Sequence, residues 1–273
     1  MFRFNRVFPG IVHIQDNMGV CFTLLAGSEK AVVIDTGYGL ENVRNCISSL
    51  TNRPVLPLLT HGHHDHVLGA RWFAHAVLDS ADLEEYALRT GREQREKVAE
   101  QARGLGLTTP EDFMTAPVPG TEAPEYNGET AGFACQRTDL GGMEINIIHV
   151  PGHTAGSLVI HVPAWQLLLT GDDWNPCTWM WFPCSLPVQD WLGNMHSLLR
   201  GLEQEGGVTR VLCSHQPMMR EGKELKEFLA WATPERLDEA EKSEISSDIR
   251  VRRISDPQRG WELLFDGNKY EKR

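Results

Sequence analysis

Apolar residues alternate with polar ones, or run together in short blocks, at residues 11–15, 20–26 and 31–34. Turn-forming groups close the later blocks: Gly27-Ser28-Glu29 follows the second and Asp35-Thr36-Gly37 the third. This spacing predicts strands and a hairpin-rich start, because successive strand side chains point to opposite faces. Helical spacing follows over 42–50, then an Asn52-Arg53-Pro54 break. The apolar run at 55–59 predicts a buried strand that delivers Thr60-His61 at its C-terminal end. Residues 65–75 suit a helix.

Charged, helix-favouring residues fill 81–101, and 104–135 is rich in Gly, Pro and Thr with a short helical signal at 110–114. The stretch 81–135 therefore reads as a helical insertion over a core, its charges forming a solvated face. Strands follow at 144–150, after a turn at Asp139-Leu140-Gly141-Gly142, and at 158–162 and 166–169. A helix at 188–202, a strand at 208–213 and a helix at 223–232 come next. Residues 248–272 read as two strands around Asp256-Pro257, with a turn at Asp266-Gly267-Asn268. The expected organisation is one domain over 1–273, with the insertion at 81–135 and a C-terminal extension at 217–273.

At 273 residues, 41% of them apolar, the chain is long enough to bury a sizeable core. No run approaches the ~18 apolar residues a membrane span needs, and no apolar block follows the N-terminal arginines, so the expected location is cytoplasmic with no membrane partner. Six cysteines without a CxxC pair argue for free thiols. A formal charge of −11 with no local basic patch excludes a grip on nucleic acid.

The chemistry concentrates in Thr60-His61-Gly62-His63-His64-Asp65-His66, where good metal ligands crowd a strand-to-helix junction. His61 and His63, two apart, can face one side of an extended loop, whereas adjacent Asp65 and His66 diverge, so the motif can feed two neighbouring ions. Three further ligands each end a predicted strand: His153 in Pro151-Gly152-His153-Thr154-Ala155-Gly156-Ser157, Asp172 in Thr170-Gly171-Asp172, and His215 in Cys213-Ser214-His215. A lone His at a strand end is ordinarily structural; seven such ligands in this order are not.

HxHxDH, then GHTxGS, then GD, then SH resembles the metallo-β-lactamase superfamily with a glyoxalase II-like ligand set, and Val33-Ile34-Asp35-Thr36-Gly37 resembles its first strand motif. The resemblance implies an α+β fold, an αββα four-layer sandwich with the site along one edge. It further implies that His61, His63 and His153 hold one ion and Asp65, His66 and His215 a second, that Asp172 bridges them, and that Asp35 orients a ligand from behind. Imidazole and carboxylate donors suit two Zn2+ ions, and Fe or Mn as well.

A small-molecule substrate follows, cleaved at an ester, thioester or lactone bond by a hydroxide bridging the metals. Asp65 is placed to carry a proton to the leaving atom, and a water on the metal is an equal donor. Beyond Asp172 stand Trp174, Trp179 and Trp181, which read either as an apolar wall for the substrate or as core or homodimer packing. Cys177 and Cys184 read as inert thiols. The alternative within the same family is a mononuclear iron persulfide dioxygenase, which would leave Asp65, His66 and His215 without an ion to hold.

Overall fold

Tight turns between the early strands stack them as a meander: β1 (Arg3–Phe8), β2 (Ile11–Gln15), β3 (Cys21–Ala26) and β4 (Ala31–Ile34) pair antiparallel in sequence order. β5 (Val55–Leu58), β6 (Ala76–Val77) and β7 (Thr121–Glu122) then add in parallel, completing a seven-stranded sheet. This computed structural model describes residues 1–246 and 249–271. Asp248 and Lys272, the ends of the tail read from sequence, lie outside the described residues.

The second sheet also has seven strands. From one edge it runs through β8 (Gly128–Thr130), β9 (Phe133–Asp139), β10 (Glu144–His149), β11 (Leu158–Val162) and β12 (Leu167–Leu169). β14 (Arg210–Leu212) and β15 (Arg220–Glu221) complete it. A third sheet of four strands joins β13 (Cys177–Met180) to β16 (Glu241–Ser246), β17 (Ile249–Asp256) and β18 (Trp261–Phe265) in the order β13-β18-β17-β16.

Alternation assigns the faces. On β10, Ile145 and Ile147 belong to the layer between the two large sheets, with Ile11, Leu25, Ile34 and Leu58 of the first sheet, whereas Ile148 belongs to the opposite face. Leu167 and Leu169 likewise point inward and Leu168 outward. The outer face of the first sheet is covered by α1 (Val43–Ser48) through Val43, Cys46 and Ile47. α5 (Val188–Leu202) buries Val188, Trp191, Leu192, Met195, Leu198, Leu199 and Leu202, a three-and-four spacing that makes one apolar stripe. With α6 (Gly222–Trp231) it covers the outer face of the second sheet. Helix, sheet, sheet and helix are the four layers expected of an αββα sandwich. Each fully buried Leu or Ile contributes roughly 1.5–3 kcal/mol of transfer free energy.

Several expectations need revision. Residues 65–75 do not form one helix: α2 (His64–Val67) is a single turn, followed by a 3-10 turn at Leu68–Trp72. Gly69 lies so close to Thr36 that an added Cβ would sit 2.0 Å from its carbonyl oxygen, a packing constraint local spacing does not register. The stretch 81–135 is α-helical only through α3 (Leu83–Thr90) and α4 (Arg92–Gly104), and the expected helix at 110–114 is instead a series of turns over 111–115. Its later part supplies edge strands to both large sheets through β7, β8 and the start of β9. The polar β1 and the tryptophan-bearing β13 are further strands the pattern does not announce, as is β16. α7 (Pro234–Asp238) links α6 to the third sheet. No helix among the described residues is long and apolar enough to cross a membrane.

Candidate metal centre

Five of the seven candidate ligands follow the C-terminal end of a strand, and Asp65 and His66 sit on the single turn of α2 just beyond β5. Asp35 follows β4, His61 and His63 follow β5, His153 follows β10, Asp172 follows β12 and His215 follows β14. β4 and β5 are parallel, as are β12 and β14, and β10 runs the same way as β12 because both are antiparallel to β11. Each sheet therefore delivers its ligands to one edge. The two edges meet at Gly171 (φ 54°), where an added Cβ would lie 2.8 Å from the Thr60 hydroxyl. Left-handed backbone and close approach together call for glycine there.

His61, His63 and His153 offer donor atoms within 4.8 Å of one another, and so do Asp65, His66 and His215. His61, His66 and Asp172 form a third such group that links the two. The Asp172 Oδ2 lies 3.0 Å from His215 Nε2, 3.4 Å from His66 Nε2 and 3.8 Å from His153 Nε2.

Hydrogen bonding on the outside of the cluster determines which imidazole nitrogens face inward. Thr60 donates its hydroxyl to Asp35 Oδ2 (2.8 Å) and so accepts from His61 Nδ1 (3.0 Å), leaving a lone pair on His61 Nε2. His66 Nδ1 donates to Asp35 Oδ2 at 2.9 Å, so its Nε2 faces the cluster. His153 Nδ1 donates to the Trp179 carbonyl at 2.7 Å, and His63 Nε2 faces Glu85 Oε1 at 3.4 Å. His63 Nδ1 and His153 Nε2 lie 3.0 Å apart, a hydrogen-bond distance in which the His63 tautomer sets the donor, so both nitrogens point at the same spot. His61 Nε2, His66 Nε2 and Asp172 Oδ1 are buried with no hydrogen-bond partner among the described residues. Buried, unpartnered nitrogen and oxygen atoms turned toward one point fit divalent cations.

The acid–base behaviour divides along the two triads. Burial and the neighbouring imidazoles hold His61 far below its ordinary range, and burial with His63 brings His153 down to about 3. Burial pulls His66 downward too, but Asp172, Asp65 and Asp35 outweigh it and push the group well up. Burial would raise Asp65, yet His66, His64 and His215 bring it down to about 2. The acidic half of the cluster thus seeks positive charge while the three-histidine half presents neutral nitrogens.

Residues that carry no sequence signal brace this arrangement. Buried Asp82, at the start of α3, accepts from Gly62 N–H (2.7 Å) and the Thr154 hydroxyl (2.8 Å) through Oδ2, and from Gly156 N–H (2.8 Å) through Oδ1, tying both ligand loops together. Asp173 Oδ1 accepts from His153 N–H at 2.7 Å. Buried His13 on β2 donates from Nε2 to the Gln216 carbonyl at 2.9 Å, and Cys21 N–H donates to the Ser214 carbonyl at 2.7 Å, so His215 is held on both sides by the first sheet. Asp35 adopts φ 62°, a left-handed conformation rare for a residue with a Cβ, and spends its carboxylate on Thr60 and His66.

A cavity of about 590 Å3 opens over the cluster. α3 and α4 contribute Arg89 and Gln101 to its lining, and the third sheet with its following loop contributes Trp179, Trp181, Phe182 and Ile245. Phe182 packs 4.6 Å from the His63 ring, and Trp181 stacks on Phe182 at 4.1 Å. Lys269 donates to the carbonyls of Phe182, Pro183 and Ser185 at 3.1, 2.8 and 2.7 Å, clamping this wall from the C-terminal extension. Trp174 corrects the reading of three tryptophans as one wall. It is 0% exposed, packs edge-on to Phe228 of α6, and belongs to the core outside the second sheet. Burial pushes Cys184 up to about 12 and Cys177 to about 11, so both thiols stay protonated near neutrality.

The family profile described as the Metallo-beta-lactamase superfamily matches residues 18–200. The chain belongs to the metallo-beta-lactamase superfamily, as the ligand order and the four layers had implied. Within it, the chain is 28% identical over 210 residues to a bovine acyl-coenzyme A thioesterase, MBLAC2, covering 70% of this chain and 71% of that one. The hydroxyacylglutathione hydrolase GloC of Haemophilus influenzae is 26% identical over 156 residues, covering 56% and 65%. Both names support hydrolase activity in this branch of the superfamily. A metallo-beta-lactamase family protein of Thermus thermophilus superposes with a TM-score of 0.58 at 18% identity, covering 85% of this chain and 82% of that one. A sec-alkylsulfatase of Pseudomonas superposes with a TM-score of 0.60 at 16% identity, but this chain spans only 40% of its length. These two likenesses establish the fold alone.

Proposed function

We propose that this chain is a binuclear metal-dependent hydrolase of ester-type bonds, and that a thioester with an apolar acyl part is its favoured substrate. The observation that carries the reading is the pair of donor triads joined by Asp172, with His61 Nε2, His66 Nε2 and Asp172 Oδ1 buried and unpartnered among the described residues at the base of an aromatic-lined cavity. The acyl-coenzyme A thioesterase relative favours thioesters over simple esters and lactones.

His61, His63 and His153 would hold one ion and Asp65, His66 and His215 the other, with Asp172 between them. Divalent ions there would supply Lewis acidity and activate water near neutral pH. The chain's own residues do the rest. Asp35 holds the outer nitrogen of His66, turning its Nε2 inward, and Glu85, 3.4 Å from His63 Nε2, orients the His63 ring. Trp179, Trp181 and Phe182 exclude water and seat the acyl group. Asp65, ionised by its imidazole neighbours, is a weak base suited to passing a proton onward rather than keeping it. The second triad counts against the mononuclear iron alternative, which gives Asp65, His66 and His215 no task.

A panel of ester, thioester and lactone substrates tests the reading. The expected outcome is thioester turnover that is abolished by a chelator, restored by zinc, and reduced at least a hundredfold in Asp172→Ala and His153→Ala. Full turnover in both variants would sink it.

A further inference from the structure

We propose that Arg89 makes the pocket selective for substrates that carry an anionic group, a carboxylate or a phosphate, in addition to the scissile bond. The proposal rests on the hydrolase reading and narrows its substrate class.

Glu85 and Arg89 lie one turn apart on the same face of α3. Glu85 Oε1 accepts from Arg89 Nε at 2.5 Å and faces His63 Nε2 at 3.4 Å. That pairing uses only Nε, and the two terminal guanidinium nitrogens have no partner among the described residues. The guanidinium carbon lies 5.9 Å from the centre of the Phe182 ring, so the side chain is steadied by a carboxylate at one position and an aromatic ring at another. The Arg89 side chain keeps 21% exposure and lines the cavity, where it is the sole Lys or Arg among the described residues. An arginine held by its inner nitrogen presents the remaining fork already oriented, and a planar, two-oxygen anion is its natural counterpart.

Charge elsewhere makes this residue decisive. The chain carries a formal −11, so its long-range field opposes anions and any preference for one has to arise at short range. Glu85 offsets part of the guanidinium charge, which keeps the expected preference at about five- to tenfold rather than thousands. An Arg89 that merely braced Glu85 would affect neutral and anionic substrates alike.

Two isosteric pairs of thioesters separate these roles. In the first, the anion is on the thiol: butyryl thioesters of 3-mercaptopropionate and 3-mercaptopropionamide. In the second it is on the acyl group: the thioesters of one neutral thiol with glutaric acid (monothioester) and with glutaramic acid. In at least one pair wild type is expected to favour the carboxylate in kcat/KM by about fivefold or more. In Arg89→Gln that ratio falls toward one, and Arg89→Lys restores part of it. A ratio unchanged by Arg89→Gln, or no preference in either pair, overturns the proposal. Calorimetric binding of two non-cleavable thioethers, S-butyl-3-mercaptopropionate and 5-(butylthio)pentanoate, each against its amide, keeps the two readings distinguishable. If no thioester is cleaved the hydrolase reading fails, while an Arg89-dependent preference for the acid in either pair still supports anion recognition, and equal binding of acid and amide in both pairs overturns it.

Discussion

Replacing Asp82 by Asn converts one carboxylate oxygen into an amide group of nearly the same shape, and so probes the tie between the two ligand loops without opening a cavity. The carboxylate accepts three hydrogen bonds, from Gly62, Thr154 and Gly156. In Asn one oxygen position becomes a donor. If it takes the Oδ1 position it faces the Gly156 N–H, and if it takes the Oδ2 position it faces both Gly62 and Thr154. The milder case leaves one buried N–H unsatisfied, at about 1–3 kcal/mol. The lost charge assistance on the other two bonds adds to this, whereas relief of the buried charge, whose pKa burial pushes upward, subtracts. The net is about 2 kcal/mol, which for a chain of this size lowers Tm by about 4–8 °C. Scanning calorimetry on zinc-loaded and metal-stripped protein reads the shift in both forms, and the loaded form should release zinc to a chelator faster than wild type. A Tm within about 1 °C of wild type with unchanged zinc retention would refute the assigned role.

Other expectations follow from neighbouring contacts. His13→Ala removes the donor to the Gln216 carbonyl beside His215, so affinity for the second ion should fall roughly tenfold while the first is held as before; a competitive chelator titration reads this, and equal loss of both ions contradicts it. Lys269→Met releases three carbonyls of the Phe182–Ser185 wall, so KM should rise more for octanoyl than for acetyl thioesters; a uniform change would show that the clamp does not shape the acyl site. Buried Asp16 accepts from the N–H groups of Met18, Val20 and Tyr38, and burial raises its pKa from 3.8 to about 6. A raised folded pKa means the native state binds the proton more tightly, so the stabilisation is complete below pH 3.8 and is lost as pH rises through about 6. The stability of wild type relative to Asp16→Asn should therefore fall between about pH 4 and pH 7, by on the order of 2–3 kcal/mol. Denaturant midpoints in metal-stripped protein across that range check it, and a flat difference counts against it.

The grouping of the seven donors is legible in the sequence because His61, His63, His153, Asp172 and His215 stand just beyond apolar runs whose strand ends converge on one sheet edge, and Asp65 and His66 follow within the same motif on α2. The four layers are legible for a related reason: buried strands flanked by amphipathic helices such as 188–202 leave few other ways to hide their faces. What escapes is information carried only by tertiary docking. Asp82, Glu85 and Arg89 sit on a charged helix whose local pattern matches any solvated surface helix, and only the placement of α3 over the ligand loops gives them tasks. β13 pairs in parallel with β18, residues far along the chain, so no hairpin signal marks it. Trp174, read together with Trp179 and Trp181, falls on the opposite side because the chain turns into the core directly after Asp173, and sequence proximity to Asp172 does not decide which face a side chain takes.

The central claim is that the two donor triads hold two ions, and it is tested most directly by stripping the purified protein with a chelator, titrating zinc back and counting ions per chain by mass spectrometry under native conditions. Two zinc ions in wild type, with one retained in His215→Ala and thioester turnover returning as the second site fills, are expected. One ion per chain at saturation, or turnover that persists in the stripped protein, would contradict the account.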